Sequence, residues 1–216
     1  MSDLKLLHRA AKDEDRSSSP IRKSDRTRQA ILEGALEMLW ARPFRDMTVA
    51  DLMSVTGVSR SAFYQYFHDL HELMETLLQG LENEIFEAAN PWFNDEEDAV
   101  ASLRRSLDGL VRVCHAQGPI LRAVAEASTT DERLEQAWAS FLGEFDDAVA
   151  ARIAQQQEQG LIPAFEPRPM AIALNRLDAS LFIHAFGRHP RSNPEAIREA
   201  VTRIWTSTLY ETSRRE

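Results

Sequence analysis

Cysteine is almost absent: Cys114 is the only one in 216 residues. A single thiol excludes an intrachain disulfide and a cysteine-based zinc site, and it fits a reducing compartment. Glycine is sparse as well, at 8 residues, and no run of alternating β-branched residues is long enough for a sheet. No apolar stretch approaches the ~18 residues that span a bilayer. The opening "MSDLKLLHRAAKDEDRSSSP" lacks the uninterrupted apolar segment of a signal peptide. No paired carboxylates, Gly-rich phosphate loop or Ser/His/Asp arrangement stands out, so nothing points to an enzyme and no cofactor is implied. His68 and His71 stand three apart but have no evident third metal ligand. These absences predict a cytoplasmic, all-α protein with no membrane partner.

What is present is helix-forming sequence with an uneven charge. The net charge is −9, which by itself argues against nucleic acid. From Arg16 to His68, however, eight Lys/Arg face five acids, whereas from Asp69 onward 14 basic residues face 25 acidic ones. A mildly basic N-terminal part on an acidic remainder suits a protein that presents one end to a polyanion.

Periodicity and stop signals divide the chain into about nine helices. Residues 1–23 read as a flexible tail. A first helix begins near Ser24, taken as its N-cap, carries Ile31, Leu32, Ala35, Leu36 and Leu39 on one face, and ends at "ARPF". Thr48 and Asp51 form a capping-box pair at the start of "TVADLMSV", and Ser59 can cap "RSAFYQYF". Asp69 is a fair N-cap for a long helix that Asn90-Pro91 is expected to stop. Further helices are predicted over 95–117, 119–127, 131–159, 170–186 and 194–212.

Two short helices joined by "TGV" have the dimensions of a helix-turn-helix, so residues 24–68 read as a DNA-binding domain and 69–216 as a helical body behind it. Helices that short need support, which Val49, Leu52, Val58, Ala62 and Phe63 can supply. Phe63 and Phe67, four apart, belong in the core. The outward positions of the second helix are Arg60, Ser61, Tyr64 and Gln65: arginine can bond guanine, glutamine can read adenine, and hydroxyls can reach phosphates.

The stretch "ILEGALEMLWARPFRDMTVADLMSVTGVSRSAFYQYFHDLHELM" resembles the DNA-binding head of the TetR family. The likeness rests on the apolar first helix, F-x-x-M-T-V-x-D-L, G-V-S-R in the turn and F-Y-x-Y-F at the end. It implies a homodimer on a near-palindromic double-stranded DNA operator, released when a small molecule fills the body, so that 69–216 would be a ligand-binding and dimerisation domain. By position, Thr48, Ser59, Arg60, Ser61, Tyr64 and Tyr66 would face DNA. The family's usual phosphate-touching lysine near the start of the fourth helix is replaced by Leu70 beside His71. Arg22, Lys23, Arg26 and Arg28 are the candidates to supply that contact instead.

In the body, Trp138, Phe141, Leu142 and Phe145 share one stripe, for which core packing is the default. Asn175 and Asp178 interrupt the apolar "AIALNRLDASLFIHAF". Such polar groups need partners, and Arg176, a neighbouring helix or a ligand would serve Asp178. The C-terminal segment "ALNRLDASLFIHAFGRHPRSNPEAIREAVTRIWTSTLY" is similar to that of one mycobacterial member of the family, in which an aromatic tube holds long apolar ligands. That similarity implies a tube lined by Leu103, Leu107, Leu110, Cys114, Trp138, Leu142, Phe145, Asn175, Asp178, Phe182 and Trp205. Smaller or aliphatic residues at Leu103, Leu110 and Cys114 alter the lining, and the expected effector is an elongated, largely apolar molecule with a single polar group. Ala171, Leu174, Leu181 and Ala185, with Ala200, Ile204 and Leu209, can cover an apolar seam between two copies. A helical small-molecule-binding protein without operator binding, and a transcriptional activator on the same scaffold, remain alternatives.

Overall fold

The computed structural model describes residues 23–94 and 98–210; Arg22 and the rest of the expected tail lie outside them. The described residues form eight α-helices and no strand. They are α1 (Lys23–Ala41), α2 (Val49–Thr56), α3 (Arg60–Tyr66), α4 (Leu70–Asn94), α5 (Ala99–Ala127), α6 (Glu132–Glu158), α7 (Pro167–Phe186) and α8 (Pro194–Leu209), with a single 3-10 turn at Phe44–Asp46. The all-α expectation holds. Ser24 is not an N-cap, because α1 already begins at Lys23.

The predicted fifth and sixth helices are one helix, α5, bent where the sequence suggests a break. Gln117 leaves helical geometry at φ −122° and ψ 16°, immediately before Gly118-Pro119. Pro119 removes an amide donor and crowds the preceding turn. Gly118 is required by a neighbour: a Cβ there would lie 2.4 Å from the carbonyl oxygen of Phe186. The bend and the missing side chain together let α7 close onto α5. Gly118→Ala should therefore lower stability by about 1–3 kcal/mol, as for an overpacked core, read as a fall in the urea midpoint at unchanged m.

Pro91 does not stop α4, which runs on to Asn94. A mid-helix proline leaves a defect in the ladder, and here Ser106 of α5 fills it. The Trp92 N–H donates to Ser106 Oγ at 2.9 Å, and that hydroxyl donates to the Ala89 carbonyl at 3.0 Å. Elsewhere α4 buries Leu73, Leu77, Leu81 and Ile85 at the expected three- to four-residue spacing. Burying each such side chain contributes about 1.5–3 kcal/mol, so α4 is held by its apolar face along most of its length.

In α7 and α8 the proposed seam needs correction. Ala171, Leu174, Ala185 and Leu209 are buried within the chain itself. Leu181 and Ile204 are half-buried and Ala200 is exposed, and the large apolar side chains that α7 leaves outside are Ile172 and Leu177. No helix among the described residues is long and apolar enough to cross a membrane.

Candidate functional site

The turn between α2 and α3 is built by local chemistry. Thr48 Oγ1 accepts the Asp51 N–H at 3.1 Å and donates to Asp51 Oδ2 at 2.8 Å, while Arg42 Nη1 donates to the same Oδ2 at 3.1 Å. Gly57 ends α2 at φ +68°, a left-handed conformation that costs glycine little, and its N–H reaches the Met53 carbonyl at 2.9 Å. Ser59 then caps α3 by accepting the Ala62 N–H at 3.2 Å. Gly34 of α1 leaves room for the Thr56 methyl group, which would sit 2.2 Å from a Cβ at that position. The turn is therefore seated on α1.

The aromatic run at 63–67 divides between two faces. Phe63 and Phe67 are buried with centroids 5.8 Å apart, as expected. Tyr64 is 50% exposed, with its ring edge-on to Phe63 and the Arg60 guanidinium 5.9 Å from its centroid. Arg60, Ser61, Tyr64 and Gln65 form one exposed face of α3, with exposed Ser59 and Thr48 at the helix starts and half-buried Tyr66 at the edge. The Thr48 hydroxyl donates its proton to Asp51, so it can only accept from a further partner. Arg26 is exposed, Arg28 lies over the Phe67 ring at 5.5 Å, and Lys23 is placed in the first turn of α1. Val55 near the end of α2 is 58% exposed, and nothing in the sequence beyond its being apolar marks it.

The start of α4 is clamped to α6. Asp69 Oδ1 accepts the Glu72 N–H at 2.8 Å, and Glu72 Oε2 receives the His68 N–H at 2.6 Å. Arg133 Nε donates to Glu75 Oε1 at 2.6 Å and Nη1 donates to Asp69 Oδ2 at 3.2 Å. Burial acts against ionisation of Asp69, but the Glu72 N–H and the Arg133 charge hold its carboxyl below the usual range. His71 Nε2 lies 2.8 Å from Asp131 Oδ2 and is thus turned to the body, while His68 is exposed. Farther along, buried Arg122 of α5 donates Nη2 to the Leu39 carbonyl at 2.5 Å and the Arg42 carbonyl at 3.4 Å, at the C-terminus of α1. Trp40 stacks on His189 at 4.4 Å, with the Arg191 guanidinium 5.2 Å from its ring. The N-terminal helices are thus joined to the body through α4, α5 and the α7–α8 connection.

Inside the body lies an apolar cavity of about 60 Å3 between α4, α5, α6 and α7. Seven residues expected in a lining do line it: Leu110, Cys114, Leu142, Phe145, Asn175, Asp178 and Phe182. Leu103 and Leu107 are instead core residues, Trp138 stacks half-buried on Phe141 with centroids 5.3 Å apart, and Trp205 stands behind Asp178. Ile85, Leu121, Phe141 and Ala179 complete the wall. Helical periodicity says which way a side chain turns but not which helix meets it, and Ile85 reaches the cavity from α4. A wider hollow of about 690 Å3 lies open on the outer face of α8 among Arg104, Glu195, Arg198 and Glu199, a solvated surface rather than a binding chamber.

The polar groups of the cavity have different fates. Asn175 Nδ2 donates to Asp146 Oδ1 at 2.9 Å, and Arg176 donates to both oxygens of the same carboxylate at 3.1 and 2.8 Å. Asp178 does not pair with Arg176: its Oδ2 accepts the Trp205 indole N–H at 3.0 Å. Burial pushes Asp178 up to about 7, opposed by the Trp205 N–H. Burial, with the Asp178 charge nearby, also pushes the Cys114 thiol up, so that it stays protonated and packs as a small apolar group.

A second raised carboxyl sits where α4 meets α6. Glu82 is buried against Glu144, and burial followed by that second carboxyl raises it to about 7, with Gln79 Nε2 donating to it at 2.8 Å. A folded-state pKa above the unfolded value means that the protonated form favours folding. The stability is complete below about 4.5 and is lost as pH rises through about 7. Glu82→Gln should thus be more stable than the parent at pH 8, by on the order of 1–2 kcal/mol, and nearly equal to it at pH 4.5. Urea midpoints at the two pH values check the sign.

Two family comparisons meet this architecture. Residues 31–77 match the bacterial regulatory proteins of the tetR family, and residues 103–211 match the C-terminal domain of the transcriptional regulator EthR. The chain is 28% identical over 188 residues to the HTH-type transcriptional regulator EthR of Mycobacterium tuberculosis (strain ATCC 25618 / H37Rv), covering 84% of this chain and 86% of that protein. It is 26% identical over 204 residues to EthR of Mycolicibacterium smegmatis, covering 91% of each. Among solved structures, the MbdR regulator from Azoarcus sp. CIB superposes with a TM-score of 0.70 at 18% identity, over 84% of this chain and 97% of that one. Salmonella enterica GusR also gives 0.70, at 15% identity, over 88% and 99%. The chain is a transcriptional regulator of the TetR family, with a C-terminal domain of the EthR type.

Proposed function

We propose that the protein is a ligand-responsive repressor that binds a near-palindromic operator as a homodimer in the cytoplasm and is released by a small, largely apolar effector. The observation that carries this reading is that one helix, α4, serves both sites. Three residues separate its start from the end of α3, and it contributes Ile85 to the cavity wall. The cavity of about 60 Å3 is too small for an elongated effector as it stands, so such a molecule would displace its walls. Moving Ile85 moves α4, and with it the spacing of the two recognition helices. Such an effector favours the expanded state, and by linkage operator affinity falls; a coupling of ~1–3 kcal/mol corresponds to ~5–150-fold.

On DNA, Arg60 and Gln65 of α3 would read base edges in the major groove. Ser59, Ser61, Tyr64 and Tyr66 would reach phosphates, Val55 would meet a thymine methyl or sugar, and Arg22, Lys23, Arg26 and Arg28 would follow the backbone. Thr48 would accept from a bridging water rather than donate to phosphate. The relatives are transcriptional regulators, and no catalytic step enters this reading.

Ile172 and Leu177, 36% and 37% exposed on the outer face of α7, are the proposed centre of the dimer seam. Leu177→Glu places a charge there without touching the core. It should give a folded monomer by light scattering, with operator affinity reduced at least ~10-fold because the two half-sites are no longer bound together. A Leu177→Glu dimer of full affinity would move the seam elsewhere.

A further inference from the structure

The cavity has one acceptor without a donor. Asp178 is 5% exposed; its Oδ2 is held by Trp205, but its Oδ1 has no hydrogen-bond partner among the described residues. The nearby guanidinium of Arg176 is engaged with Asp146, as is the Asn175 amide. Around Asp178, Leu110, Leu121, Phe141, Leu142 and Phe182 offer carbon, and Cys114 offers a weak thiol. A buried carboxyl oxygen left without a donor is costly, and among the groups a ligand can bring, only a donor relieves that cost. Above about pH 7, where Asp178 is ionised, an ester, ketone or carboxylate would set acceptor against acceptor, whereas the protonated carboxyl at lower pH could itself donate to them.

We infer that the cavity selects an apolar molecule carrying an amine, whose N–H is received by Asp178 Oδ1 while its hydrocarbon part lies against the leucines and phenylalanines. The inference rests on the reading of this cavity as the effector site and names the chemical class of the effector. An amine suits the position better than a hydroxyl. It brings more than one N–H and can carry the charge opposite to the carboxylate. The fold has also already removed that carboxylate from water, so its desolvation is not incurred again on binding. Trp205, holding Oδ2 from behind, fixes the orientation of the carboxyl before the ligand arrives.

Calorimetric titration of the full chain at about pH 8.5, where Asp178 is ionised and an alkylamine is still cationic, with n-hexylamine, 1-hexanol and 2-hexanone compares donor strength at nearly constant length. The amine should bind at least ~10-fold more tightly than the ketone, with the alcohol between them. In Asp178→Asn, which keeps the shape and an acceptor for Trp205, the preference should shrink to within ~3-fold. The wild-type comparison needs no variant and stands even if Asp178→Asn folds poorly. Equal or tighter binding of the ketone, absence of saturable amine binding, or an undiminished amine preference in Asp178→Asn would overturn the inference. Operator affinity measured with the same probes separates the two claims. An amine that binds through Asp178 without weakening operator binding contradicts the effector role alone. Release by the ketone but not by the amine contradicts the amine assignment alone.

Discussion

Arg60→Ala is expected to lose ~5–150-fold in affinity for the specific operator while melting at the same temperature as the parent. Arg60 is exposed at the first position of α3, and its one ring contact, with Tyr64, is itself on the surface. A bidentate arginine–guanine contact contributes about 1–3 kcal/mol of discrimination, which gives that range. Affinity for random duplex should fall much less, since phosphate contacts from α1 and the turn remain. Fluorescence anisotropy with specific and scrambled duplexes separates the two terms. An equal loss on both would make Arg60 a phosphate contact rather than a base reader.

Arg122→Met is expected to destabilise the chain by about 2–3 kcal/mol and to disconnect the effector from the operator. The methionine keeps apolar volume in the site, so what is lost is the guanidinium. Leu39 and Arg42 present their carbonyls at the end of α1, and Arg122 alone crosses from α5 to donate to both. Hydrogen bonds from charged groups contribute about 1.5–3 kcal/mol, and a buried acceptor left without a donor adds to the loss. Burial works against the Arg122 charge and lowers its pKa, while the nearby Glu126 carboxylate favours it. With the tie removed, effector binding in the body should persist, while the fall in operator affinity shrinks to within ~2-fold. Urea unfolding measures the first effect; operator titration with and without effector measures the second.

The N-terminal region was legible because its determinants are local. Thr48, Ser59 and Asp69 cap helices within three residues of themselves, and Gly57 answers a single left-handed position. Phe63 and Phe67 follow from four-residue spacing, and Tyr64 falls outside it. Features that depend on another helix were not legible. Pro91 resembles a stop signal until Ser106, from α5, supplies the missing partner. Gly118-Pro119 reads as a boundary, yet the helix bends instead, because α7 packs into the space that glycine leaves. In the cavity, the interruption of an apolar helix by Asn175 and Asp178 was visible, but their partners were not. Trp205 fastens Asp178 from α8 and Ile85 enters the wall from α4, contacts between helices that spacing along one helix does not encode.

The most direct test is anisotropy titration of the full chain on duplex DNA from its own upstream region and on a scrambled duplex, at 50 and 200 mM salt. The account predicts binding at least ~10³-fold tighter to the native sequence, with log affinity falling against log salt by about 0.9 for each neutralised phosphate. Equal affinity for the two duplexes, with no dependence on salt, would contradict it and leave a helical ligand-binding protein whose α3 face reads no DNA.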